Sequence, residues 1–259
     1  MNIVVCIKET PSTTAEKRFG PDMRLERRKE DAIYNPFDEY AIEEGLRQQE
    51  KSPESTVTIL CMGPATAAET LRKALAMGGD RGVLVSDPAL AGSDAIGTAR
   101  VLAAALQKIG FDLAIFGSAA ADAYGGVVPS AVAEFLGLPL LSYASKLDVN
   151  GGTATIQRQA EVGYHEVAAS TPALVSVVKA INEPRYPSMK GIMASKRKPL
   201  DTFALADLGL DPATVGGAAA REKALSAEKV STQRKGEIYQ GNDGAADRVL
   251  NFLIEQKVL

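Results

Sequence analysis

Short apolar runs alternate with amphipathic stretches through the first half of the chain: NIVVCIK, PFDEYAIEEGLRQQEK, TVTILCM, ATAAETLRKALAM, RGVLVS, AIGTARVLAAALQKIG and DLAIFG. Runs of four to seven residues rich in Val, Ile and Leu suit a sheet covered on both faces, and the longer segments carry apolar residues at helical spacing. In the second amphipathic stretch Ala68, Leu71, Leu75 and Ala76 are expected on one face, with Glu69, Arg72 and Lys73 toward water. The alternation predicts an α/β fold built on a doubly wound, mostly parallel sheet.

After AVAEFLGLP the pattern changes. LLSYASKLDV, TATIQRQAEV, YHEVAAS and ALVSVV read as strands joined by short turns such as Asn150-Gly151-Gly152, which leaves no room for helices and predicts antiparallel or mixed pairing. From about residue 200 periodicity is weak until GAADRVLNFLIEQKVL, where Ala246, Val249, Leu250 and Leu253 form one apolar helical stripe. The expected organisation is an α/β domain over 1–200 and a C-terminal arm and helix over 201–259. An arm of roughly 40 poorly patterned residues is longer than a compact domain normally carries, so it is expected to wrap a second polypeptide; a partly disordered tail is the alternative.

Composition narrows the function classes. Of 259 residues, 46% are hydrophobic and 24% charged, the balance of an ordinary globular chain, and a net charge of -3 gives no basic surface for nucleic acid. No apolar run approaches the roughly 20 residues of a membrane span, and MNIVVCIKE enters a strand pattern without signal-peptide features, so a cytoplasmic, non-integral protein is expected. Cys6 and Cys61 lie in separate strand-like runs without a CxxC spacing and are expected in the core. The sole histidine, His165, can complete neither a zinc cluster nor a nucleophile-elbow triad.

In an open parallel sheet, ligands collect beyond the carboxyl ends of the strands. Three loops there are rich in small residues: Lys8-Glu9-Thr10-Pro11, Met62-Gly63-Pro64-Ala65, and the segment from Ser118 to Val128. Gly125-Gly126, directly before the helix VVPSAVAEFL, is the phosphate candidate, because free N–H groups and the positive helix end would face an anion there; a plain tight turn fits the same residues. No GxxxxGK[ST] and no strand-borne GxGxxG is present. The run Asn182 to Met193, stiffened by Pro184 and Pro187, is expected to start a helix at Ser188 with Met189 at its tip, either as an exposed apolar anchor or, with Ile192 and Met193, as core packing.

At these residues the sequence resembles the β subunit of electron-transfer flavoproteins, over essentially its whole length. The resemblance rests on Asn35-Pro36-Phe37 with Ala41 to Glu44, on Gly63-Pro64-Ala65 with the run Glu69 to Gly78, and on Asp80-Arg81-Gly82. It continues through Pro172 to Val177, Asn182 to Tyr186, and Ile192-Met193 with Lys196, Lys198 and Pro199.

The resemblance implies an adenine nucleotide α-hydrolase-like fold and a heterodimer whose α subunit holds most of a redox-active FAD, while this chain buries an AMP. By position, Cys6, Ile7, Lys8, Asn35, Met62 and Gly63 would line the adenosine side. Asp122, Gly125, Gly126, Val127 and Val128 would surround ribose and phosphate, and Phe37 would approach the flavin. A recognition loop near 182–196, with Arg185, Tyr186, Met189 and Ile192, would dock on partner flavin dehydrogenases such as acyl-CoA dehydrogenases, electrons passing on to a quinone oxidoreductase or another acceptor. The chain departs from the family pattern at Ala160 to Tyr164 and in the loop ADAYGG. Two alternatives remain: a subunit of an electron-bifurcating flavoprotein with a second FAD in place of AMP, and a stand-alone adenine-nucleotide sensor.

Overall fold

The computed structural model describes residues 1–228 and 238–258, and the chain divides into two compact units, Met1–Leu225 and Ser226–Leu259. The first unit opens with β1 (Asn2–Ile7), a small antiparallel ribbon of β2 (Glu9–Pro11) and β3 (Ala32–Tyr34), and α1 (Pro36–Lys51). It continues through β4 (Thr56–Met62), α2 (Ala67–Leu75), β5 (Arg81–Val85), α3 (Ala95–Ile109), β6 (Leu113–Gly117) and α4 (Val128–Leu136). Three longer strands follow, β7 (Leu140–Asn150), β8 (Thr153–Gln159) and β9 (Tyr164–Ser170), and then β10 (Ala173–Val177), α5 (Met189–Ser195), β11 (Leu200–Phe203) and α6 (Gly216–Ala219).

The main sheet has nine strands in the order β11-β5-β4-β1-β6-β10-β7-β8-β9. Every pairing from β11 to β7 is parallel, and β8 and β9 extend the sheet antiparallel, so the mixed second half expected from the sequence is present. Side-chain alternation sends Ile3, Val5 and Ile7 of β1 into a core with Ile42, Leu46, Leu71 and Leu75 of α1 and α2. Val4 and Cys6 enter the opposite core with Val101, Leu106 and Val132 of α3 and α4. Cys61 belongs to the first core and Cys6 to the second, so the sheet itself separates the thiols, and both are free and buried.

Two local expectations shift. In α2 the buried positions are Ala67, Thr70, Leu71, Ala74 and Leu75, with Ala68 only half-buried, because an arc centred on Leu71 reaches back four residues to Ala67. The main unit also runs past the expected boundary at residue 200: β11 pairs with β5, and Leu205 and Val215 enter the second core. The segment from Leu200 to Ala219 consists of a four-residue strand, two 3-10 turns and a four-residue helix, all too short to leave a periodic signal.

In the second unit α7 (Ala245–Glu255) follows Gly244, and the Arg248 guanidinium lies 4.6 Å from the centre of the Tyr239 ring. Val249, Leu250, Phe252 and Ile254 are exposed on this helix. The part of the expected arm at 229–237, and Leu259, lie outside the described residues.

Candidate functional site

β1 pairs with β4 on one side and β6 on the other, and the chain winds outward from it in both directions. The loops leaving the carboxyl ends of β1 and β6 therefore diverge, and a crevice opens between them. There lies a cavity of about 610 Å³, within the range of small-molecule sites. Of the residues expected to hold a nucleotide, Cys6, Ile7, Lys8, Asn35 and Met62 line one side and Gly125, Gly126, Val127 and Val128 the other. Phe37, Gly63 and Asp122 do not line it.

Asn35 knits this region together. Its backbone N–H donates to the Lys8 carbonyl at 2.8 Å, and its side-chain amide donates to Asp38 Oδ1 at 3.0 Å and to the Ala119 carbonyl at 2.7 Å. Its side-chain oxygen accepts from the Ala121 N–H at 3.0 Å. One buried residue thus fixes the end of β1, the first turn of α1 and the loop after β6, with both side-chain N–H groups and one lone pair of its side-chain oxygen engaged.

Asp38 forms part of the cavity wall that sequence reading missed. Burial raises its carboxyl from the ordinary range to about 7, against the opposing effect of bonds from the Lys8 N–H at 2.8 Å, Asn35 and the Gly117 N–H. Asp122 sits behind Lys8 instead of on the wall: its carboxylate, with only 1% of the side chain exposed, accepts from Lys8 Nζ at 2.8 Å and also pairs with Arg27. Burial would raise its pKa, but the two cations outweigh that and hold it below the usual carboxylate range. Lys8 is thereby held in place with its charge partly neutralised.

Two helix N-termini meet the cavity and differ in chemistry. At α3, Asp94 accepts from the Gly97 N–H at 2.7 Å and, through its other oxygen, from the Arg221 N–H at 2.8 Å, so that terminus is satisfied by its own carboxylate. The same contacts bring Glu222 onto the cavity wall. At α4, no side chain caps Val127 or the first turn, Pro129 occupies an early position, and Gly125 and Gly126, the latter at φ +64°, lead in. Free N–H groups and the positive end of α4 are left to an anion. Asp94, Glu222 and Asp38 gave no sequence signal beyond helix caps, since only the fold brings them together.

Beside the glycine pair, Tyr124 adopts φ +52° and packs edge-on to half-buried Phe37, ring centroids 5.8 Å apart and planes at 83°. Among the described residues no cluster of His, Cys, Asp or Glu could hold a metal ion, and no helix is long and apolar enough to cross a membrane.

The segment 182–195 is tied at its base to α1, and its helix α5 packs on α2, where Arg72 Nη1 donates to the Ser195 carbonyl at 2.6 Å. Asn182 donates to the Tyr40 carbonyl at 3.0 Å and to Glu44 at 3.2 Å, and Ser188 Oγ caps α5 through the Gly191 N–H at 3.0 Å, so the helix begins where the sequence predicts. Tyr186, Met189 and Met193 are 95%, 76% and 69% exposed, and Ile192 is exposed as well. The core-packing alternative for these side chains does not hold, because α5 turns them to solvent while its buried member is Ser195.

A family model of the electron transfer flavoprotein domain matches residues 22–208. The chain is 39% identical, over 100% of its length and 99% of the relative's, to the electron transfer flavoprotein subunit beta of Mycobacterium tuberculosis H37Rv. It is 37% identical, over 93% of both chains, to the protein of that name in Thermoanaerobacterium thermosaccharolyticum. The Megasphaera elsdenii counterpart is 34% identical over all of both chains.

Proposed function

Because the chain belongs to the electron transfer flavoprotein β-subunit family, we propose that it buries an AMP as a structural ligand and pairs with an α-type subunit that holds most of an FAD. The observation that carries the reading is the pairing of an uncapped α4 N-terminus with Lys8 across a cavity at the β1/β6 crevice. That arrangement suits one phosphate. Asn35, Asp38, Asp94 and Glu222 offer neutral and acidic groups for the sugar and base. Cys6 stays a protonated thiol, burial first and the nearby Asp38 charge second pushing its pKa well above the ordinary value.

The flavin supplies the redox chemistry when bound. This chain's own residues bind, orient and exclude water: the glycine loop admits backbone close to a ligand, and Phe37, edged by Tyr124, presents aromatic surface toward a planar partner. Electrons would arrive from flavin dehydrogenases, including acyl-CoA dehydrogenases, through docking on Tyr186, Met189 and Ile192, and leave to a quinone oxidoreductase or another acceptor in the cytoplasm. The exposed apolar face of α7 would cover the α-type subunit.

The test is to purify the native heterodimer, denature it and quantify the released nucleotides. One FAD and one AMP per heterodimer is the expected result. Two FAD and no AMP would assign the chain to an electron-bifurcating assembly, and a colourless homodimer binding ATP would make it a nucleotide sensor.

A further inference from the structure

Arg185 stands next to Tyr186, an aromatic residue that is 95% exposed, yet its own side chain, 37% exposed, reaches back to α1. Its Nε donates to Glu43 Oε2 at 2.7 Å and its Nη2 to Glu43 Oε1 at 3.0 Å, a two-pronged pairing with a carboxylate that is 4% exposed. The Arg185 backbone N–H adds a bond to Glu43 Oε2 at 3.2 Å, and Nη1 reaches Glu50 Oε1 at 2.7 Å. Arg47 Nε closes on Glu43 Oε1 at 3.3 Å. With the Asn182 bonds to Tyr40 and Glu44, the base of the loop is fastened to α1 from Tyr40 to Glu50.

We propose that Arg185 is a positioning residue for electron transfer: clasped on Glu43 and Glu50, it makes no partner contact of its own and holds Tyr186, Met189 and Ile192 ready for a donor's apolar pocket. The inference rests on the docking role assigned above. The physical basis is the cost of ordering a surface loop on binding. A loop that must find its docking geometry spends part of the interaction free energy on that ordering, whereas one already fixed at its base keeps it as affinity. Pro184 and Pro187 on either side remove further backbone freedom, and the Ser188 cap fixes the start of α5. A lysine could satisfy one carboxylate at a time, but it lacks the fork that grips Glu43 while reaching Glu50.

The assembled heterodimer provides the test, with Arg185→Ala, Arg185→Lys, Glu43→Gln and Met189→Ala compared with the parent. In hydrogen exchange, Arg185→Ala and Glu43→Gln are expected to speed exchange of amides 186–195 by about tenfold, with β10 and β6 unchanged and Arg185→Lys intermediate. Met189→Ala leaves exchange at the parent level. In reduction by an acyl-CoA dehydrogenase supplied with butyryl-CoA, Arg185→Ala is expected to raise the KM for the heterodimer about tenfold with kcat within about twofold. Parent-level exchange in both Arg185→Ala and Glu43→Gln would overturn the clasp, as would a fall confined to kcat. If the parent itself accepts no electrons, the functional reading fails, while the exchange data decide the clasp independently.

Discussion

A Cβ placed on Gly117 would collide with Asp38 Oδ1 and fall 2.8 Å from the Phe37 carbonyl carbon, so the end of β6 and the first turn of α1 meet at a distance only glycine permits. The contact seats the Asp38 carboxyl over the Gly117 N–H at the cavity wall. Gly117→Ala is therefore expected to cost about 1–3 kcal/mol of stability, and to lower the AMP content of the purified heterodimer. Denaturant unfolding and nucleotide quantification read the two effects.

Asp38 gives a pH signature. Its folded pKa, raised from 3.8 to about 7, means that the folded state holds the proton more tightly than the unfolded chain. Its stabilising contribution is full below the unfolded value and is lost as pH rises through the folded one. Asp38→Asn, which cannot ionise, should gain stability relative to the parent as pH rises from 3.8 to about 7. Urea midpoints of both proteins across that interval measure the difference, and a constant offset would contradict it.

Gly126, at φ +64°, leads the chain into the uncapped start of α4. Gly126→Val puts a β-branched residue in left-handed backbone at a cost of about 1–2 kcal/mol, and its side chain would occupy the approach to the phosphate site. AMP occupancy should fall further than for Gly117→Ala, and the unfolding midpoint should drop by more than the lost occupancy alone accounts for.

Met189→Ala should leave assembly and cofactor content unchanged while slowing reduction by a partner dehydrogenase roughly tenfold, because an exposed anchor is removed and no core contact is lost. Stopped-flow reduction of the flavin measures it. A folding defect with normal turnover would place Met189 in the core after all.

Both thiols should be inert. Burial pushes Cys61 up to about 12 and Cys6 well above its ordinary value, so neither forms thiolate near pH 8. Native protein should take up no maleimide, and unfolded protein should take up 2 per chain.

Much of this was legible in the chain because it depends on periodicity. The strands from NIVVCI to LAIFG, the cysteines within them and the helix opening at Ser188 follow from spacing and capping. Of the cavity residues, Lys8, Met62 and Gly125 to Val128 lie in loops marked out by the strand-end rule, whereas Cys6, Ile7 and Asn35 were expected only through the family resemblance. The outer wall was not legible. Asp94 and Glu222 are 128 residues apart and meet only because Leu200 to Ala219 folds back over β5 and α3 in pieces too short to show a period. Arg185 was expected to dock on a partner, and its clasp was hidden because Glu43 and Glu50 lie on a helix whose acidic residues could equally have faced water. Met189 was ambiguous for the opposite reason: an apolar residue at helical spacing does not reveal whether its face is covered.

α1 touches both ends of the proposed machinery, with Asp38 at the cavity wall and Glu43 under the loop. Five residues of helix separate them, a rise of roughly 8 Å along the axis. The helix is thus a ruler: while the clasp holds, the base of the loop stays at a set distance from the cavity wall. Whatever swivelling the electron carrier requires must be found outside this span.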